Sequence, residues 1–134
     1  MANELILIVE DNEKNRKLVR KVLERLGYRT SEVETGEEAV EAARKLSPDL
    51  VLMDYQLPGI DGIETFKRIR ADPAIRRMPI VAVTASAMPE DTARMKEAGF
   101  DGFETKPINV KSFVANVAQT PQSLVRPLPI ALIE

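Results

Sequence analysis

The sequence predicts an α/β domain built on a parallel sheet, and three observations carry that expectation. Five short strand-like runs recur along the 134 residues, segments of helical period separate them, and three of the runs are apolar at every position. A strand that is apolar on both sides must be covered on both sides. That is the condition of a strand inside a parallel sheet flanked by helices, and alternating elements joined by right-handed crossovers satisfy it.

The elements follow in order. Leu5–Val9 is the first run, and Leu18, Val19, Val22, Leu23 and Leu26 then fall on one helical stripe closed by Gly27. Arg29–Val33 is the second strand. Thr35-Gly36-Glu37-Glu38 opens the next helix, whose Ala39, Val40, Ala43 and Leu46 face inward until Ser47-Pro48 stops it. Residues 50–53 form the third strand. A helix with Ile63, Phe66 and Ile69 on its apolar side runs over residues 61–71, ahead of Asp72-Pro73. Residues 80–83 form the fourth strand. Pro89, favourable in a first turn, begins a helix that ends at Gly99. Gly102–Thr105 is the fifth strand, and after Pro107 the residues Val110, Phe113, Val114 and Val117 mark a fifth helix. The domain is expected to span residues 1–118. Residues 119–134 form a tail that is apolar and interrupted by Pro121, Pro127 and Pro129.

Composition narrows the chemistry. With 19 Lys+Arg against 21 Asp+Glu the net charge is −2, which argues against a nucleic-acid binder. There is no cysteine and no histidine, so disulfides, thiolate nucleophiles, Ser-His-Asp catalysis and His-ligated zinc are all excluded. The apolar run at the start is too short for a signal peptide or a membrane span, so a cytoplasmic protein is expected. Carboxylates, hydroxyls, Lys, Arg or a hard metal ion must carry the function.

In open α/β sheets, ligands bind at the carboxyl ends of the strands. Glu10 and Asp11 follow the first strand, Asp54 the third, Thr84 the fourth and Lys106 the fifth. A shared sheet gathers them at one edge. Three carboxylates that close repel one another unless a cation lies between them, and an all-oxygen set with room for water suits Mg²⁺. A carboxylate beside such a metal can attack phosphorus, with a Lys and a hydroxyl reading the transferred group. Asp54, alone on the central strand, is the candidate nucleophile. Glu10 and Asp11 are the candidate metal ligands, and the Gln56 carbonyl offers another oxygen. The plain alternatives are a helix cap for Asp11-Asn12, a turn residue at Asp54, a strand-end hydroxyl at Thr84 and a solvated Lys106. Their joint placement, in order, over five repeating units outweighs them.

The stretches "ILIVEDNE", "PDLVLMDYQLPGIDG", "PIVAVTASAM" and "GFDGFETKPI" resemble the receiver domain of two-component response regulators, over roughly residues 5–117. Among receivers the wording resembles single-domain regulators of the DivK kind, or receivers attached to hybrid kinases. The resemblance implies a flavodoxin-like (βα)5 doubly wound sheet of order 2-1-3-4-5. It implies that Asp54 is the phosphoacceptor and that Glu10, Asp11, Asp54 and the Gln56 carbonyl hold Mg²⁺. It further implies that Lys106 contacts the phosphoryl group and that Thr84 and Phe103 form the switch, Phe103 standing where some relatives have Tyr.

Without histidine the chain cannot itself be a phosphohistidine donor. The phosphoryl group must then come from another protein or from a small phosphodonor. The resemblance implies a histidine kinase or histidine phosphotransfer protein as donor, and a downstream protein is the expected target, with no role for nucleic acid or membrane. A phosphatase of the haloacid-dehalogenase type would want a second acid at position 56, where Gln stands. A receiver excised from a hybrid kinase is the nearer alternative, which the Met1 start and the distinct tail disfavour. The tail, too apolar for a free linker, is expected to pair two copies into a homodimer.

Overall fold

The computed structural model describes residues 4–55, 57, 59–85 and 88–106, with Asp91 and Thr105 described by backbone alone. Gln56, Ser86, Pro107, the fifth helix expected from Val110 and the tail expected to pair two copies lie outside the described residues. The elements run β1 (Leu5–Val9), α1 (Glu13–Arg25), β2 (Arg29–Val33), α2 (Gly36–Leu46), β3 (Leu50–Asp54), α3 (Gly62–Ala71), β4 (Ile80–Thr84), α4 (Pro89–Ala98) and β5 (Gly102–Thr105). All pairings are parallel, in the order β2-β1-β3-β4-β5. This is the sheet that the resemblance implies.

Period-2 alternation divides the core between the two faces of the sheet. Ile6 and Ile8 of β1, Leu50 and Leu52 of β3, and Val81 and Val83 of β4 pack with Val19, Leu23 and Leu26 from α1 and its end. Leu7, Val9, Val51, Met53 and Ile80 pack on the other face with Ala39 and Ala43 of α2 and Phe66 and Ile69 of α3. Every residue of β3 and β4 is buried, whereas β2, at the edge, is half-buried along most of its length. The fully apolar runs are the interior strands, as their sequence requires.

Local signals set where the helices start and stop. The Thr35 hydroxyl accepts from Glu38 N at 3.1 Å, while the Glu38 carboxylate accepts from Glu34 N and from the Thr35 hydroxyl, which is a capping box shifted by one residue. Asp61 caps α3 by accepting from Glu64 N at 2.9 Å. Gly99 ends α4 at φ 102°, a left-handed conformation that a side chain would strain. Ser47 ends α2 in the same region, at φ 44°, before Pro48.

Three readings of the sequence need correction. Leu18 belongs to the predicted apolar stripe of α1 but is 42% exposed, because a stripe five residues wide exceeds the width that the sheet covers. Leu46, expected to face inward from α2, is 41% exposed in the last turn of that helix. In the sequence Arg68, Arg70, Arg76 and Arg77 form a modest basic run that reads as a solvated loop, but Arg70 is tied down. It donates to the Met78 carbonyl, pairs with Asp101 at 3.1 Å and lies 4.6 Å over the Phe66 ring. Asp101 also accepts from Ile80 N at 2.8 Å, so the pair fastens the amino end of β4 to α3.

The two leucines of the stripe should respond differently to truncation. Leu23→Ala is expected to cost about 3 kcal/mol in urea unfolding, from lost burial and the cavity it leaves. Leu18→Ala should stay within about 0.5 kcal/mol of the parent. Equal losses would contradict the orientation given for α1.

Candidate functional site

The carboxyl edge of the sheet collects the predicted residues because parallel strands all end on the same side. β3 ends on Asp54 and β4 on Thr84, each one residue later than the apolar runs suggested. The ladder also continues past its strands. Tyr55 N donates to Val83 O at 2.8 Å, Lys106 N to Thr84 O at 2.8 Å, and Glu10 N to Val33 O at 3.1 Å. The backbone on both sides of Asp54 is thus held by the sheet, while Asp54 itself pairs in register with Val83.

Asp54, Glu10 and Thr84 are only 4%, 4% and 3% exposed, while Asp11 is open to solvent. One oxygen from each of Glu10, Asp11 and Asp54 lies within 4.8 Å of the others. The Lys106 ammonium reaches two of the three, at 2.8 Å from Asp54 Oδ2 and 3.0 Å from Glu10 Oε1. Burial pulls the Lys106 pKa down, but the hydrogen bonds to Asp54 and Glu10 and the attraction of both acids outweigh it, so the pKa lies above the ordinary lysine value. Lys106 therefore stays charged through neutral pH. The carboxylates still outnumber the ammonium, and the donor atoms are all hard oxygens, which fits a small divalent cation.

The β1–α1 loop divides its polar groups between two tasks. Asn12, not Asp11, caps α1, its side chain accepting from Asn15 N at 3.0 Å, so the Asp11 carboxylate is not spent on the helix. Glu10 Oε2 accepts from Asn12 N at 3.1 Å while Oε1 meets Lys106. Both Glu10 oxygens are thus engaged, and Asp11 is the more available ligand. Phe103 is half-buried beside Tyr55, Ala82 and Met95, on the face where α4 packs.

Two contributors escape a reading of the sequence alone. Gly62 opens α3 directly behind the site, and a Cβ there would stand 2.8 Å from Tyr55 O and 2.9 Å from Asp54 O. A side chain would press on the backbone of Asp54, and a glycine at the start of a helix that already has an Asp cap was the available signal. Arg16, one turn into α1, donates through Nη1 to Glu10 O at 2.9 Å and Asp11 O at 3.2 Å. Nothing in its sequence position marks it, since exposed arginine is the ordinary condition of a helix surface.

The response regulator receiver domain family model matches residues 6–118. The chain is 43% identical over 112 residues to the polar-differentiation response regulator DivK of Brucella ovis, covering 84% of this chain and 91% of that protein. The same level of identity relates it to DivK of Brucella anthropi. Among solved structures it resembles the receiver domain of a sensor histidine kinase from Pseudomonas aeruginosa, crystallised with magnesium coordinated in its active-site cleft, at TM-score 0.80 and 35% identity, over 88% of this chain and 98% of that one. It also resembles the chemotaxis response regulator CheY4 of Vibrio cholerae, at TM-score 0.78 and 27% identity, over 87% of this chain and 97% of that one. Sequence, sheet order and the acidic edge agree: the chain belongs to the response regulator receiver domain family.

Proposed function

We propose that this receiver takes a phosphoryl group onto Asp54 from a phosphohistidine, with Mg²⁺ held at Glu10, Asp11 and Asp54, and that the modification switches its contacts with other proteins. The carrying observation is the buried Asp54 carboxylate with the Lys106 ammonium at 2.8 Å. A lone buried carboxylate is costly, and a strand-end acid that serves only as a turn residue would face water.

In this reading an Asp54 oxygen attacks phosphorus and the P–N bond of the donor breaks, its electron pair leaving on the imidazole nitrogen. Mg²⁺ bound at the acids supplies positive charge to the oxygens of the transferring group. Lys106 supplies a second positive charge at the acceptor and remains hydrogen-bonded to Glu10 as Asp54 is modified. The Gln56 carbonyl, which the resemblance gives as a further oxygen ligand, would join Glu10, Asp11 and Asp54 in holding the metal. Thr84 donates its hydroxyl to the new phosphoryl group, and Phe103 turns inward as Thr84 moves, which alters the face made by α4 and β5. The donor is a histidine kinase or a histidine phosphotransfer protein in the cytoplasm, and the target is another protein. The DivK relatives, named as polar-differentiation response regulators, support a role in signalling without fixing the pathway.

Three outcomes test this reading. Acetyl phosphate with Mg²⁺ should add one phosphoryl mass in intact-protein mass spectrometry, and Asp54→Asn or excess chelator should each abolish it; labelling that survives either change overturns the assignment. Asp11→Ala should weaken Mg²⁺ binding by about 10-fold or more, and more than Glu10→Ala does, because both Glu10 oxygens already have protein partners. Calorimetric titration reads both, and the reverse ranking would contradict the ligand assignment. Thr84→Ala should keep most of its labelling while partner affinity ceases to depend on phosphorylation, as measured by pull-down with and without a beryllofluoride mimic. Full switching in the Ala variant would remove Thr84 from the relay.

A further inference from the structure

Arg16 stands where α1 and β2 meet the loop that carries Glu10 and Asp11. Its side chain is 14% exposed, unusually buried for an arginine on a helix. Four partners account for that burial. Nη1 donates to the carbonyls of Glu10 and Asp11, Nε lies 3.4 Å from Glu32 Oε1, and Nη1 lies 3.4 Å from Glu34 Oε1. Glu32 is itself held by Arg20, at 2.9 Å from its other oxygen. The guanidinium therefore bridges β2, the first turn of α1 and two consecutive peptide carbonyls of the acidic loop.

Those two carbonyls belong to the two acids. A peptide carbonyl and the side chain of its residue share one Cα, so fixing successive carbonyls restricts the directions that the carboxylates can take. The helix cap fixes the loop at Asn12, and the Glu10 N to Val33 O bond fixes it at the strand. Between those points the Asp11–Asn12 N–H is held by Glu10 Oε2, but the oxygens of the Glu10–Asp11 and Asp11–Asn12 peptides need something on the β2 side to hold them. Arg16 does so.

We infer that Arg16 is a positioning residue for the divalent-cation site, locking the loop so that Glu10 and Asp11 face Asp54. The inference rests on the metal reading given above. A cation near a cation site could instead weaken metal binding by repulsion, and the two effects have opposite signs. The carboxylates of Glu32 and Glu34 offset the charge of Arg16, so the geometric effect dominates and loss of the side chain loosens the metal.

The test compares the full chain with Arg16→Ala and Arg16→Lys, using Mg²⁺ alone as the probe in calorimetry, with Asp11→Ala as the reference for a damaged ligand. Arg16→Ala is expected to raise the Mg²⁺ dissociation constant about 10-fold. Arg16→Lys, which keeps one donor for a carbonyl but not the fork, should fall between it and the parent. In the metal-free proteins, hydrogen exchange at the Asn12 amide should speed up in Arg16→Ala while amides of β3 keep their protection, a local pattern that general destabilisation would not give. An unchanged or tighter Mg²⁺ affinity in Arg16→Ala, or unchanged exchange at Asn12, overturns the inference. A parent that binds no Mg²⁺, with Asp11→Ala indistinguishable from it, overturns the metal reading as well, and so separates that failure from a failure of Arg16 alone.

Discussion

The site depends on one constraint: the carboxylates of Glu10 and Asp54 are buried at the carboxyl edge of a sheet whose strands β1, β3 and β4 are apolar up to that edge. Glu10 and Asp54 have left water, and a buried charge without a partner costs roughly 3–5 kcal/mol. The Lys106 ammonium meets both, and that single contact explains why three strands must end in register. Lys106 follows β5, Asp54 closes β3 and Glu10 follows β1. A register shift in any of these strands would strand an acid or an ammonium in the protein interior.

Support for this arrangement comes from behind the sheet edge. Ladder bonds at Glu10, Tyr55 and Lys106 carry the strand order past the last apolar residue, so the loops begin from fixed points. Gly62 lets α3 start against the backbone of Asp54 with no side chain between them. Arg16 and Asn12 hold the acidic loop from two directions, one through its carbonyls and the other as the helix cap. Far from the site, Arg70 and Asp101 fasten the opposite end of β4. The acidic edge is thus braced from several sides, while Phe103 on β5 is half-buried.

Much of this was legible in the sequence, for identifiable reasons. Strands buried on both faces must be apolar throughout, so β1, β3 and β4 announced themselves, and the alternation of elements left few topologies open. The acids, the hydroxyl and the lysine were legible because strand ends are the one place where such residues converge. What was hidden depends on three-dimensional neighbours. Leu18 looks like core by period, but only the width of the sheet decides that it is not. Arg70 and Arg16 read as surface charge, since nothing local shows the carbonyls and carboxylates that distant segments bring to them. The choice between Asp11 and Asn12 as helix cap is a matter of one peptide's orientation, and composition cannot express it.

The most direct measurement of the central claim is a crystal structure of the full chain with Mg²⁺ and beryllofluoride. The account predicts beryllium bound to an Asp54 oxygen, the metal between Asp54 and Asp11, the Lys106 ammonium and the Thr84 hydroxyl each within hydrogen-bond distance of a fluorine, and Phe103 turned inward. Beryllium absent from Asp54, or Lys106 still paired as it is here with no fluorine contact, would contradict it.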